Sequence, residues 1–427
     1  MSPQAQHEPV ERPIQRLTRR FAALDDPRVE RTKLHDLLDM ITIAICAVIC
    51  GADDWVQIEQ FGNEKREFFD TFLSLPNGIP SHDTFGRVFA RINPEQFQAC
   101  FLEWVQELVC ASGGLLKGVI AIDGKTLCGS RDAPSGNGAG NGAGKGAIQM
   151  VSAWALENRL VLGQVKVDDK SNEITAIPAL LKLFDLSGCI VTIDAMGAQW
   201  AIAAAITDAG ADYVLSLKGN QGNMHRDVTT MFDEAHECGF KGISHQATQQ
   251  VEKGHGRIET RNYYLIDDPQ YLQYINPKGT WSNLRGVGMV GMVQSEREVR
   301  WACGVGGVGT GSEKEKQKEK EKEKEGVTKE SRYYLCSVSS VKEFAKAARG
   351  HWGIENGLHW VLDVAFREDN NRTRTGHSAH NFGILRHISV NLLKGEKSAK
   401  VGIKTKRLKA GWNHNYLLKV LLASQPI

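Results

Sequence analysis

The chain has 427 residues, 41% of them hydrophobic and 24% charged, which excludes a low-complexity or fibrous protein and fits two or three globular domains. The formal net charge is only +2, so bulk charge by itself points to no polyanion partner. The nine cysteines are scattered without a C-x-x-C pair, which excludes a zinc ribbon or disulfide framework and suits a reducing compartment. The first twenty residues lack the apolar segment of a signal peptide, so none is expected. The longest apolar run, roughly Met40 to Ala52, is shorter than the ~18 residues a membrane span needs and predicts a core helix.

Residues 1–33 are polar and proline-bearing and predict a flexible arm. Leu34, Leu37, Leu38, Ile41, Ile45, Val48 and Ile49 recur at helical spacing. PSHDTFGRVFARI, 80–92, starts a second helix at Ser81 or Asp83, and a third is expected from Pro94 to Val109. Residues 34–112 thus predict a small helical domain, either a packing module or a DNA reader.

GVIAIDGKT, 118–126, reads as a buried strand over 119–123 whose last residue, Asp123, stands at the sheet rim. A glycine-rich stretch, 133–147, reads as a loop. Residues 150–158 and 159–169 predict a hairpin turning at Glu157-Asn158. A helix follows over 173–184, then a strand, 189–194, that ends on Asp194 as the earlier strand ends on Asp123. Another helix, 200–209, and a strand, 211–221, complete a β-β-β-α-β-α-β series. Three strands before the first helix predict a mixed sheet rather than an all-parallel one.

Strands are expected at 258–266, 288–294, 297–303 and 332–338, so residues 223–340 predict a β-rich insertion. Within it EKGHGRIETR, 252–261, offers His255 and Arg257 as a phosphate-contacting loop or as a charged hairpin. The Gly- and Glu/Lys-rich stretch at 304–330 predicts a disordered, solvated excursion. Residues 341–369 read as a long helical stretch, with Gly350 or Gly353 as the place for a bend, that puts Glu355, His359 and Asp363 on one face. From residue 371 onward eleven Lys and Arg oppose one acid, Glu396, so 11 − 1 = +10, and this asymmetry favours a polyanion partner.

Two strand-end aspartates and one helical glutamate can hold two Mg²⁺ ions, because hard cations choose oxygen ligands. Asp123 would bridge both ions, with Asp194 and Glu355 completing one each, and Mn²⁺ can substitute. The bland alternatives are an Asp that forms a turn or caps a helix and a Glu that is merely exposed.

AIDGKT, KSNEI (170–174), TIDAMG, LKGNQ (217–221), GHGRIETR and HWGIENGLHWVLDVAFRED together resemble bacterial insertion-sequence transposases of the DDE type, in the group containing the H-repeat-associated proteins. LDDPR and IPSHDTFGRVF match that group's N-terminal associated domain. The resemblance runs from about Leu17 to Leu393. It implies an RNase H-like catalytic core built from 118–222 and 341–393, interrupted by the 223–340 insertion. It also implies a DNA-binding role for 34–112 and a catalytic triad of Asp123, Asp194 and Glu355; the charge count adds a basic tail over 394–427. The chemistry implied is nicking of double-stranded DNA at terminal inverted repeats and joining of the freed 3′-hydroxyl to target DNA. A homodimer on DNA in the cytoplasm, at the nucleoid, is expected, with no membrane. Lys125, Lys218, His255, Arg257 and Arg349 become candidate DNA contacts, with His351, Trp352, Arg372 and Arg374. The Tyr-Arg-Glu-Lys signature of the wider superfamily is absent, its positions falling on Ala348, His351, Glu355 and Leu362. An inactive or domesticated DNA-binding copy is the alternative reading.

Overall fold

The computed structural model describes residues 18–111, 116, 118–131, 146–167, 173–254, 257–275, 288–299 and 327–423. Residues 1–17 of the arm, most of the glycine-rich loop, residues 170–172, His255 and residues 304–326 lie outside them.

In chain order the longer helices of the first part are α1 (Leu37–Cys50), α2 (Trp55–Glu64), α3 (His82–Phe89) and α4 (Pro94–Ala111). Strands β1 (Gly118–Leu127), β2 (Ile148–Ala155) and β3 (Leu160–Lys166) come next, followed by α5 (Glu173–Leu181), β4 (Cys189–Ile193), α6 (Trp200–Asp208) and β5 (Asp212–Leu217). Then come α7 (Asn223–Glu237), β6 (His245–Gly254), β7 (Arg257–Ile266), α8 (Pro269–Ile275), β8 (Met289–Val299) and β9 (Val327–Cys336). The chain closes with α9 (Val341–Ile354), a π-helical turn (Glu355–His359), α10 (Trp360–Ala365), α11 (Ser378–Gly395), α12 (Ile403–Trp412) and α13 (His414–Leu422). The described residues fall into two compact units, one drawn from Met1–Asp185 with Gly353–Ile427, the other from Leu186–Trp352.

The first unit is built on α1. Its LLDMITIAICAVIC sequence is apolar all round, so it is buried on every side. Asp36 caps its first turn by accepting from the Leu38 and Asp39 N–H groups, and Gly51, at φ +119°, ends it in a left-handed cap. Helix α11, also buried along its whole length, packs on α1. The sheet of this unit runs β3-β2-β1, all antiparallel, with Asp123 opposite Ser152. Asn391 of α11 pairs both ways with the backbone of Val161, at 2.8 and 2.9 Å, and so covers hydrogen-bonding groups of β3.

The second unit holds a mixed sheet in the order β4-β5-β9-β8-β7-β6, parallel only between β4 and β5. Phe344 of α9 lies on it, where Gly291 leaves room; a Cβ there would come 2.5 Å from the ring.

The expected β-β-β-α-β-α-β series is present. Several details differ. Strand β1 does not stop at Asp123 but continues four residues to Leu127, because its pairing with β2 persists to Leu127–Ile148. Strand β6 was not expected: it is exposed at almost every position and carries no apolar alternation. The strands expected at 288–294 and 297–303 are one strand, β8, as far as the described residues extend, and β9 begins at Val327 rather than 332. Helix α7 was also missed, although its buried Val228, Met231, Phe232 and Ala235 stand at helical spacing.

The 394–427 segment, expected as a basic tail, folds into α12 and α13 as far as it is described. Arg407 is 4% exposed and donates to Val48 O at 3.1 and 2.9 Å, to Ala365 O, and to Asp53 at 3.1 Å. Lys406 donates to Leu393 O at 2.9 Å and to Glu396 O. A charge-rich segment can fold this way because each buried cation meets carbonyls and a carboxylate.

Candidate active site

Along β1 the residues Val119 to Ile122 are buried, and Asp123 and Lys125 share one face two positions apart. The Asp123 side chain is 17% exposed. Its Oδ1 accepts from the Gly124 N–H at 2.9 Å, and its Oδ2 lies 3.4 Å from His359 Nδ1. Lys125 donates to Asp363 Oδ1 at 2.6 Å. His359 and Asp363 are four residues apart, so one helical face meets one strand face through two polar contacts.

The expected helix is not continuous. Between α9 and α10 it opens into the π-helical turn that begins at Glu355 and ends at His359. Such turns insert one extra residue and recur at functional sites. A glycine in the middle of the turn and one just before it allow close packing: a Cβ on Gly357 would sit 3.0 Å from the Trp154 ring, and one on Gly353 2.5 Å from Leu156. Glu355 itself is exposed.

Lys125 is held by acids. Asp369 lies 3.6 Å and Glu368 3.9 Å from its ammonium, beyond the closer Asp363. Burial pushes its pKa down, but the bond to Asp363 and the surrounding carboxylates outweigh that and raise it overall. Burial raises the pKa of Glu368, against the pull of Arg386 at 3.3 Å and of Lys125. The spacing in the sequence did not reveal this acid cluster.

In the second unit Asp194 directly follows β4, as expected. Its Oδ1 accepts from Met196 N at 3.0 Å, forming a side-chain-to-backbone turn. Asn220 and Gln221 both donate to Ala195 O, so the LKGNQ motif braces that turn. His351 lies 3.2 Å from Thr192 Oγ1 on β4. Burial holds its pKa down at about 4, with the Asp194 charge opposing and Lys218 assisting, so it is neutral at pH 7.

The other expected contacts separate by environment. Lys218 and Arg257 are exposed. Arg349 pairs with Glu252 at 3.3 Å, and Trp352 already carries the Arg332 guanidinium 4.6 Å from its ring centre. Arg374 donates to Gly129 O at 3.0 Å, whereas Arg372 is exposed. Of the three carboxylates, Asp123 and Glu355 belong to the first unit and Asp194 to the second. Among the described residues no group of three or more His, Cys, Asp or Glu side chains is gathered to hold a metal. Nor is any described helix long and apolar enough to cross a membrane.

A family model described as Transposase DDE domain matches residues 114–392, and one described as DDE_Tnp_1-associated matches 18–105. The chain is 40% identical over 410 residues to "Putative transposase YncI" of Escherichia coli O157:H7, covering 96% of this chain and 95% of that one. It is 37% identical to "H repeat-associated putative transposase YhhI" of Escherichia coli K12, covering 96% and 99% respectively. A cryo-EM structure of piggyBac transposase in a synaptic complex with hairpin DNA aligns over 98% of this chain and 86% of that chain. Its TM-score of 0.34 at 10% identity carries no argument about this molecule.

Proposed function

The chain belongs to the DDE transposase family, and from that premise we propose that it cuts and joins DNA for an insertion sequence. The core is RNase H-like in this reading, and the acidic triad is Asp123, Asp194 and Glu355. The observation that carries it is the contact between the Asp123 carboxylate and His359, at the end of the π-helical turn that Glu355 begins. That contact holds the strand carboxylate against the turn that bears the glutamate.

The donor set suits a hard cation, since all three side chains offer oxygen. Asp123, Asp194 and Glu355 would hold Mg²⁺, with Mn²⁺ as a substitute. A bound divalent ion would supply charge neutralisation at the phosphate and a lowered pKa for an attacking water or 3′-hydroxyl. The protein's own groups orient these ligands. His359 faces Asp123, the Ala195 carbonyl is held by Asn220 and Gln221 beside Asp194, and neutral His351 packs against the strand end without adding positive charge. The substrates are double-stranded terminal inverted repeats and target DNA, and the assembly on DNA is a homodimer, in the cytoplasm at the nucleoid.

The test is cleavage and joining of a labelled duplex carrying the element's ends, with Mg²⁺, comparing wild type with Asp194→Ala. Metal-dependent nicking and joining, reduced on the order of 10²–10³-fold or more in the variant, is the expected result. Nicking without joining would reduce the proposal to a nuclease. End binding without cleavage, indifferent to the substitution, would establish the second reading, a DNA-binding copy that no longer cuts. The intact Asp123, Asp194 and Glu355 argue against that reading.

A further inference from the structure

A cleft of about 710 Å³ opens in the first unit between the starts of α2 and α3 and the segment 367–378. It shares no residue with the carboxylate cluster. Its lining includes Arg87, Arg367, Arg372 and Arg374. The first three are exposed and have no carboxylate partner among the described residues. Arg367 has φ +49°, a conformation side chains rarely adopt and one that persists only where the surroundings enforce it.

The surroundings are rigid. Asn371 donates to Asp53 O at 2.7 Å and His377 N to Ala90 O at 3.0 Å. Gly376 is required in that second contact: it has φ +53°, and a Cβ would fall 2.4 Å from Ala90 O. The arginine-bearing wall is therefore pinned to the N-terminal helices before any ligand arrives.

The acids in the cleft do not cancel the arginines. Asp53 is matched by Arg407, which lies outside the lining. Asp54 accepts from the Gln57 N–H as the cap of α2, and Asp83 lies 3.7 Å from His82. The three exposed arginines less Asp54 and Asp83 leave 3 − 2 = +1. The remaining wall is rich in amide and hydroxyl groups, among them Gln57, Asn370, Thr373 and Ser378. Trp55 and Val56 add an apolar part to it. Guanidinium, amide and hydroxyl groups are the set that contacts DNA phosphates.

We propose that this cleft is a second DNA site that grips the phosphodiester backbone of a duplex through Arg87, Arg367 and Arg372. The inference rests on the transposase reading and adds to it. Arg87 lies in the 18–105 match and Arg367 and Arg372 in the 114–392 match, so the site exists only where both regions fold together. The associated domain thereby acquires a physical role, adding one arginine to a DNA grip of which the catalytic region holds two.

The test is binding of a labelled duplex by the full chain across a salt series, read by fluorescence anisotropy. Wild type is compared with the triple variant Arg87→Gln, Arg367→Gln, Arg372→Gln. A second triple variant, Lys397→Gln, Lys400→Gln, Lys404→Gln, removes the same charge from the exposed C-terminal surface. Thermal melting verifies that both fold, and a version with Lys at the three cleft positions retains the charge. Each phosphate contact contributes roughly 0.9 to the slope of log K against log salt, so the cleft variant should flatten it by about 2–3. Its low-salt affinity should fall on the order of 100-fold, and the control should change by less than half as much. An unchanged slope, or equal effects of the two triples, would overturn the proposal. So would arginine-dependent binding of inorganic phosphate with unchanged duplex affinity, or a preference for RNA duplex. Binding requires no cutting, so the two readings fail separately. Cleavage lost in Asp194→Ala beside a cleft variant that binds like wild type sinks this inference alone, whereas arginine-dependent binding without any cleavage sinks only the catalytic reading.

Discussion

Two clusters of cations in the sequence are divided differently between the interior and the solvent. The 394–419 segment holds eight Lys and Arg residues, yet Lys406 and Arg407 are buried, and Lys394 lies 4.8 Å from the Trp154 ring centre. The 367–374 segment holds only three, yet Arg367 and Arg372 stand exposed in a cleft. A charge count therefore overstates the C-terminal segment as a polyanion surface, where Lys397, Lys400, Lys404, Lys409 and Lys419 stay exposed but Lys406 and Arg407 do not. What separates them is whether carbonyls and carboxylates from distant parts of the chain reach the cation.

The comparison can be broken at several points. The largest effect is expected at Arg407. Replacing it with Ala leaves Asp53 and the carbonyls of Val48, Ala52 and Ala365 without their donor. Denaturant unfolding should show a loss of about 3–5 kcal/mol. A loss below about 1 kcal/mol would mean that the buried cation is not structural.

Glu396 fastens the same segment. Burial alone would raise its pKa, but bonds from the Ser398 side chain, Tyr416 and the Ser398 and Ala399 N–H groups hold it down at about 2. A carboxylate whose folded pKa is depressed stabilises above its unfolded value, near 4.5, and loses that contribution as pH falls toward 2. The window is worth on the order of 3 kcal/mol, and Glu396→Gln should remove that part of the acid-unfolding slope. An identical slope in the variant would refute the assignment.

Lys125 represents a third fate, a cation enclosed by carboxylates. Lys125→Gln leaves Asp363, Glu368 and Asp369 to repel one another and should cost about 1–3 kcal/mol at pH 7. Because burial raises the Glu368 pKa, its protonation relieves the repulsion, and the deficit should shrink on acidification. A deficit that grows on acidification would show that the ammonium does not hold that cluster. The smallest effect is expected at exposed Lys404, where Ala should change stability by no more than about 0.5 kcal/mol. A larger change would place that side chain in a contact the structure does not contain.

Much of the fold was legible because its signals are local. The apolar face of α1, the capping Ser81 of α3, the hairpin of β2 and β3 and the strand ending at Asp194 all follow from short-range periodicity and turn chemistry. Strand β6 was not legible, because it is exposed along its length and is defined only by pairing with β7. The reach of β1 past Asp123 was hidden for the same reason: Gly124 and Lys125 look like a strand end until Val151 and Met150 pair with them. Glu355 could be named from its motif, but the π-helical turn it opens could not, since Gly357 makes room there for Trp154, a residue some two hundred positions away.

By itself, then, the sequence determined the identity of the acidic triad candidates, the order of strands and helices around Asp194, and a family resemblance that the comparisons bear out. These rest on neighbouring residues, whose spacing sets helix and strand periods. The tertiary structure alone decided which charges face water. Lys125 meets Asp363 across 238 positions and Arg407 meets Asp53 across 354. Burying a charge is tolerable only when a specific partner arrives with it, and no periodicity in the chain announces which partner that is.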